Sequence, residues 1–224
     1  MKQGMVLGLT GQSGSGKSTV CKLLKQRCPE DLVFIDCDLV ARQVVEPGTR
    51  CLEEIVAVFS PYADGSLLLE NGGLNRRKLG GIVFTDKELL QKLNDTIFPY
   101  IREEIDRQIK LLLPQYRLVI LDAPTLFESG ADSQCQKIMS VIAPHAIRVE
   151  RICKRDGITR EAAENRLASQ YNDAFYIRRS DFVINNSKDI PYIQLQLDRM
   201  LHALGLLSGH DLQGSMLRRK LRHR

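Results

Sequence analysis

Five short apolar runs punctuate the chain, at residues 5–10, 32–35, 118–121, 137–142 and 182–184. Each is continuous rather than alternating, which suits strands buried on both faces. Between them apolar residues recur at three- and four-residue intervals, and this spacing predicts helices over 17–27, 50–59, 87–113, 146–155, 160–170 and 190–204. Strands separated by helices imply right-handed crossovers, so the expected fold is a three-layer α/β domain around a parallel central sheet. Ligands of such sheets gather beyond the carboxyl ends of the strands. That rule selects residues 11–19, 36–38 and 122–128.

Two stretches interrupt the alternation. Residues 60–113 carry no strand signal, and a polar, glycine-containing segment there gives way to helical pattern, the composition of a helical cap standing off the sheet. Residues 155–179 are rich in arginine and follow a strand and a helix, the position of a mobile lid over phosphates. An ordinary pair of surface helices has the same pattern. The expected organisation is a single domain over 1–207, with this cap and lid, followed by a basic tail over 208–224.

Residues 11–18 read Gly-Gln-Ser-Gly-Ser-Gly-Lys-Ser, a complete G-x-x-x-x-G-K-[ST] loop between the first strand and the first helix. Gly11, Gly14 and Gly16 let the backbone come close to a ligand, so that N–H groups, including that of Ser15, can face phosphate oxygens. Lys17 offers a compact ammonium to the β and γ phosphates, Ser18 a hydroxyl to Mg²⁺, and the helix start its positive dipole end. Thr19 is placed to touch the α-phosphate. The loop therefore predicts a nucleoside triphosphate as ligand, making this the three-layer P-loop NTPase fold.

The formal charge of +5 on 224 residues suggests a polyanion partner until it is located. Arg218, Arg219, Lys220, Arg222 and Arg224 supply all of it, leaving 27 basic and 27 acidic side chains before them. A body without net charge lacks the electrostatic footprint of a nucleic-acid binder. No apolar run approaches the ~20 residues of a membrane span, and no signal-type segment precedes the first strand, so a soluble, cytoplasmic protein is expected. The six cysteines are scattered without C-x-x-C spacing and read as reduced thiols.

Phosphoryl transfer needs a phosphate cradle, a metal, an oriented acceptor hydroxyl and cations around the transferring group. Asp38, just past the second strand, can accept a hydrogen bond from such a hydroxyl, or can cap a helix over 39–45. Asp36, at the end of the same strand, reads as structural. Asp122 closes the third run as a Walker B carboxylate does, reaching Mg²⁺ through water, unless it merely caps a turn. Arg155 and Arg166 fall on the lid. Arg76, Arg77 and Lys78 cluster in the cap, where they can grip an anionic part of the acceptor or simply face solvent. A nucleotide-dependent assembly protein is the alternative from a different class, opposed by the neutral body and the acidic residue at the acceptor side.

Several segments together resemble dephospho-CoA kinase over nearly the whole chain. They are residues 8–19 (GLTGQSGSGKST), 34–49 (FIDCDLVARQVVEPGT), 74–84 (LNRRKLGGIVF), 121–130 (LDAPTLFESG), 155–170 (RDGITREAAENRLASQ) and 180–187 (SDFVINNS). The second is far more specific than the loop. The resemblance implies Mg²⁺-dependent transfer of the ATP γ-phosphoryl to the ribose 3′-hydroxyl of dephospho-CoA, giving coenzyme A. It implies Asp38 as base or hydroxyl-orienting residue, Arg42 near the acceptor, Arg155 over the phosphates and an adenine contact around Asn186 and Ser187. The chain departs from the family pattern at Phe98-Pro99, where His-Pro is common, and at Asn185, where many members have Asp. Residues 208–224 match nothing in it.

Overall fold

The structure is a computed structural model and describes residues 4–207; the expected basic tail lies outside the described residues. Five strands form one sheet: β1 (Met5–Gly11), β2 (Leu32–Asp36), β3 (Leu118–Asp122), β4 (Lys137–Ile142) and β5 (Phe182–Asn185). All pair in parallel, in the order β2-β3-β1-β4-β5. The continuous apolar runs are explained by this. Leu7, Leu9, Leu118 and Ile120 enter one apolar cluster, and Val6, Val119 and Leu121 enter another.

The first face is covered by α1 (Lys17–Arg27) and α9 (Ile190–Ala203), through Val20 and Leu24 on one and Leu197 and Leu201 on the other. The second is covered by α2 (Cys37–Gln43) and the carboxyl half of α5 (Lys87–Leu112), through Val40, Ile105 and Ile109. The spacing of Ile105 and Ile109, four apart, puts both on one helix stripe. This gives the three layers that the alternation of elements predicts.

The helical cap is held by a separate cluster. Val45, Cys51, Ile55 and Phe59 meet Leu67, Leu79 and Val83, with Leu89, Leu93 and Ile97 of α5 packed against them. Apart from Val45, which precedes them, these come from α3 (Arg50–Phe59), capped by Thr49 accepting from Leu52 N–H, from the following loop, and from α4 (Arg76–Val83), capped by Asn75 accepting from Lys78 N–H. The packing unit thus begins before residue 60, while the last turns of α5 serve the sheet. Within the span 60–113 the backbone makes one isolated antiparallel bridge, Leu68 with Leu74, and no strand. Pro99 lies inside α5 without ending it.

On the other side of the cleft stand α6 (His145–Asp156), α7 (Arg160–Ala168) and α8 (Asp173–Arg179). α6 and α7 share a small core of Val149, Ile152, Ala163 and Leu167. The helix α8 was not separable from the lid in the sequence, because seven residues give too little periodicity. It is capped by Asn172, whose side chain accepts from Phe175 N–H.

Candidate functional site

The phosphate loop leaves the central strand β1 and turns directly into α1. Gly16 sits before the helix at φ 92°, and a Cβ there would lie 1.9 Å from Asn186 Nδ2. Any other residue would be both strained and blocked. Gly11 is required by packing: a Cβ would lie 2.4 Å from the Val141 carbonyl oxygen on the neighbouring strand. Its contribution is to let the loop start flush against β4.

The amides divide into two sets. Ser13 N–H donates to Gln170 Oε1 at 2.9 Å, Ser15 N–H to the Gln12 carbonyl at 3.0 Å and Thr19 N–H to the Gly16 carbonyl at 3.0 Å. Among the described residues, the N–H groups of Gly14, Gly16, Lys17 and Ser18 have no protein acceptor. Four unclaimed donors at a helix start form an anion site. Ser15 itself is buried, its hydroxyl unpartnered and its carbonyl taken by Asn186 Nδ2 at 2.7 Å.

Lys17 pairs with Asp122 Oδ1. The other oxygen of that carboxylate accepts from the Cys21 thiol at 3.5 Å. Burial, with the Asp122 charge behind it, pushes the Cys21 thiol up to about 12, so it stays a donor. All six cysteines are free, as their scattering predicted. Ser18 is exposed, and no three His, Cys, Asp or Glu side chains come together as a metal cluster among the described residues. The hydroxyl of Ser18 and the carboxylate of Asp122 are hard oxygen donors of the kind Mg²⁺ takes while keeping waters and nucleotide phosphates, so this donor set fits that ion.

On the β2 side the structure decides between two carboxylates. Asp36, opposite Asp122 in the strand register, is the cap of α2, its side chain accepting from Leu39 N–H at 3.0 Å. The alternative of Asp38 as cap of a helix over 39–45 is therefore corrected: the helix starts at Cys37, and Asp38 lies in its first turn. Asp38 is exposed and makes no hydrogen bond or ion pair among the described residues. Arg42 follows one turn later, on the same helix.

Arg76 reaches across from α4 to donate to the Arg42 carbonyl at 3.4 Å, which brings these two candidate residues together. Arg77 is exposed and unbonded among the described residues. Lys78 is committed elsewhere, to the carbonyls of Asp64 and Ser66. Phe98 is half-buried on α5.

In the lid, both arginines converge on one carboxylate. Arg155 donates to Asp156 at 2.7 and 2.9 Å, and Arg166 pairs with the same residue. The Arg155 hydrogen bonds, reinforced by Arg166, hold the Asp156 carboxyl well below the usual carboxylate range. At the base of the lid, Gln12 Nε2 donates to the Tyr171 carbonyl at 2.8 Å, and buried Arg148 donates to Asp173 at 3.3 Å. A cavity of about 730 Å³ lies here, between the loop and the lid, with Gln12, Arg148, Leu167 and Tyr171 among its walls. Gln170 and Arg151 touch the loop although nothing in the sequence marked them. Their partners in the loop are backbone groups more than a hundred residues away, and a side chain that reads a distant backbone leaves no local pattern.

A parallel sheet that carries such a loop on its central strand is the architecture of the P-loop NTPases, whose loop amides and lysine hold nucleotide phosphates. Comparison with known proteins narrows this. The family model of dephospho-CoA kinase (CoaE) matches residues 5–191. Dephospho-CoA kinase CAB5 of Saccharomyces cerevisiae is 39% identical over 199 residues, covering 88% of this chain and 81% of the yeast protein. Dephospho-CoA kinase of Listeria monocytogenes is 37% identical over 195 residues, 87% of this chain and 94% of that protein. Among solved structures, TT1252 from Thermus thermophilus superposes with a TM-score of 0.75 at 30% identity, covering 93% of this chain and all of that one. Dephospho-CoA kinase from Campylobacter jejuni does so with a TM-score of 0.68 at 26% identity, covering 88% and 95%. The chain belongs to the dephospho-CoA kinase family. It is accordingly a kinase, a phosphotransferase of coenzyme A biosynthesis with ATP as a substrate, and no helix among the described residues is long and apolar enough to cross a membrane.

Proposed function

We propose that this kinase transfers the γ-phosphoryl group of ATP to the ribose 3′-hydroxyl of dephospho-CoA. The observation that carries the reading is the placement of an uncommitted carboxylate, Asp38, in the first turn after β2, beside the strand whose end holds Asp122 and next but one to the strand bearing the phosphate loop. A kinase needs one acidic group free to accept from the acceptor hydroxyl, and Asp36 is already spent on its helix.

The free amides of Gly14, Gly16, Lys17 and Ser18 receive the triphosphate oxygens, and Lys17 exchanges its bond to Asp122 for the β and γ phosphates. Ser18 and Asp122 would hold Mg²⁺, which would supply positive charge against the triphosphate. Thr19 adds its hydroxyl at the α-phosphate. Asp38 orients the 3′-hydroxyl toward phosphorus and takes its proton as the new O–P bond forms and the bond to the ADP oxygen breaks. Arg42, Arg76 and Arg77 bind the anionic part of the acceptor. Arg155 and Arg166, gathered at Asp156, turn onto the transferring group as the lid closes, adding positive charge and excluding water. Asn186, buried just past the end of β5 with its Nδ2 on the Ser15 carbonyl, marks with Ser187 the adenine side of the site.

The test is an acceptor panel. With Mg-ATP, phosphate is to appear on dephospho-CoA at a kcat/KM far above that on nucleosides, nucleoside monophosphates or sugars. Preference for any of those acceptors removes the assignment while leaving the kinase class intact.

A further inference from the structure

α6 runs behind the phosphate loop, and one of its side chains bonds to the loop's backbone. Arg151 Nη1 lies 3.3 Å from the Gly14 carbonyl oxygen and 3.3 Å from that of Ser15, and its Nη2 lies 3.4 Å from the Asn186 carbonyl. The Ser15 carbonyl is gripped a second time by Asn186 Nδ2 at 2.7 Å. Contact is close on this side, since a Cβ on Gly16 would stand 3.5 Å from Arg151 Nη1. Arg151 is half-buried, yet it has no carboxylate within 4.0 Å among the described residues. An arginine withdrawn fully from water is almost always paired, while a half-buried one keeps part of its solvation. This one spends its donors on three carbonyl oxygens and keeps its charge uncompensated.

The consequence follows from the planar trans peptide. Its carbonyl and its N–H point in opposite directions, so fixing the Ser15 carbonyl toward Arg151 and Asn186 fixes the Gly16 N–H on the opposite side. That N–H is one of the four without a protein acceptor. A glycine at Gly16 makes the Ser15–Gly16 peptide easy to flip, and a flip would turn a carbonyl oxygen, in place of a donor, toward the phosphates.

We propose that Arg151 is a positioning residue for the nucleotide: with Asn186 it locks the Ser15–Gly16 peptide in the donor-inward orientation, and its unpaired charge adds positive potential behind the phosphates. The proposal rests on the reading that this loop holds the phosphates of ATP, and not on which acceptor is used. Nothing in it requires contact between Arg151 and substrate.

The test compares Arg151→Met, Arg151→Gln and Arg151→Lys in the full chain, using ADP and adenosine as binding probes. A charged hydrogen bond is worth ~1.5–3 kcal/mol, so Arg151→Met is expected to weaken ADP binding by about 10-fold or more. Adenosine, which has no phosphate, should bind as before, and KM for dephospho-CoA should not move. Arg151→Lys retains the charge and one donor and should fall between wild type and Arg151→Met. If Arg151→Met does not fold, Arg151→Gln carries the test, with a smaller loss of ADP affinity in the same direction. A merely structural arginine gives a different result: ADP and adenosine weaken together, or neither weakens in a protein that melts within a few degrees of wild type. Either overturns the proposal. Should wild type bind ADP but leave dephospho-CoA unphosphorylated, the acceptor assignment fails while the role of Arg151 stands or falls on the binding data alone.

Discussion

The two walls of the cleft are prepared to different degrees. The phosphate loop is held from several directions before any nucleotide arrives: Asn186 and Arg151 on the Ser15 carbonyl, Gln170 on Ser13 N–H, Gln12 on Tyr171 and Asp122 on Lys17. On the wall proposed to take the acceptor, Asp38 and Arg77 have no partner among the described residues, and Arg42 and Arg76 are linked only through one long bond to a backbone oxygen. Rigid donors at a phosphate site need little reorganisation when charge develops there, which is where electrostatic catalysis gains most. Free side chains on the acceptor wall suit a partner that must enter, be oriented and leave. The donor side is therefore built as a scaffold, and the acceptor side as a set of unspent contacts.

That contrast can be broken by mutation, starting from the largest effect. Lys17→Ala is expected to reduce kcat by on the order of 10³-fold, because it removes both a phosphate cation and the charge that balances Asp122 in a partly buried site. Steady-state kinetics with Mg-ATP checks it, and a kcat close to wild type would contradict the scaffold reading of the donor wall. Asp38→Asn should lower kcat by about 10²-fold while leaving ATP affinity unchanged, since that carboxylate has no hydrogen-bond or ion-pair partner among the described residues. Parallel loss of ATP binding would move Asp38 from the chemistry to the fold.

Smaller effects sharpen the same division. Arg42→Ala and Arg76→Ala should each raise KM for dephospho-CoA by about 10-fold, the worth of one charged contact, with KM for ATP unaltered. Equal changes in both constants would mean that the arginines support the cap rather than the ligand. Deleting residues 218–224 should change neither constant by more than about 2-fold; a large rise in KM for dephospho-CoA would bring the basic tail into the acceptor site.

The sequence displayed the layers well because both sheet faces are buried, so every strand had to be an unbroken apolar run. The loop at residues 11–18 was equally plain, its spacing being set by the phosphates it fits. Resolution failed where the deciding partner is distant in the chain. Asp38 reads as acceptor contact or cap and Asp36 as merely structural until the strand register puts Asp36 at the strand end beside Asp122, where it caps α2 and leaves Asp38 unbonded. Asn186 sits where the family resemblance implies an adenine contact, and its amide donor turns out to bond the Ser15 carbonyl 171 residues away. Cap packing begins at Val45 rather than at the glycine-containing stretch near 60, because one apolar cluster joins helices on both sides of that stretch. Arg151 was an unremarked arginine of the predicted helix over 146–155, and only the fold shows that it lacks an acid and faces carbonyls.

The most direct measurement is phosphorus NMR, with mass analysis, of the product formed from Mg-ATP and dephospho-CoA at an enzyme concentration far below that of either substrate. One added phosphate, as a monoester on the ribose 3′-oxygen, is the predicted result. A phosphate on any other oxygen, or ATP hydrolysis with the acceptor recovered unchanged, would contradict the account.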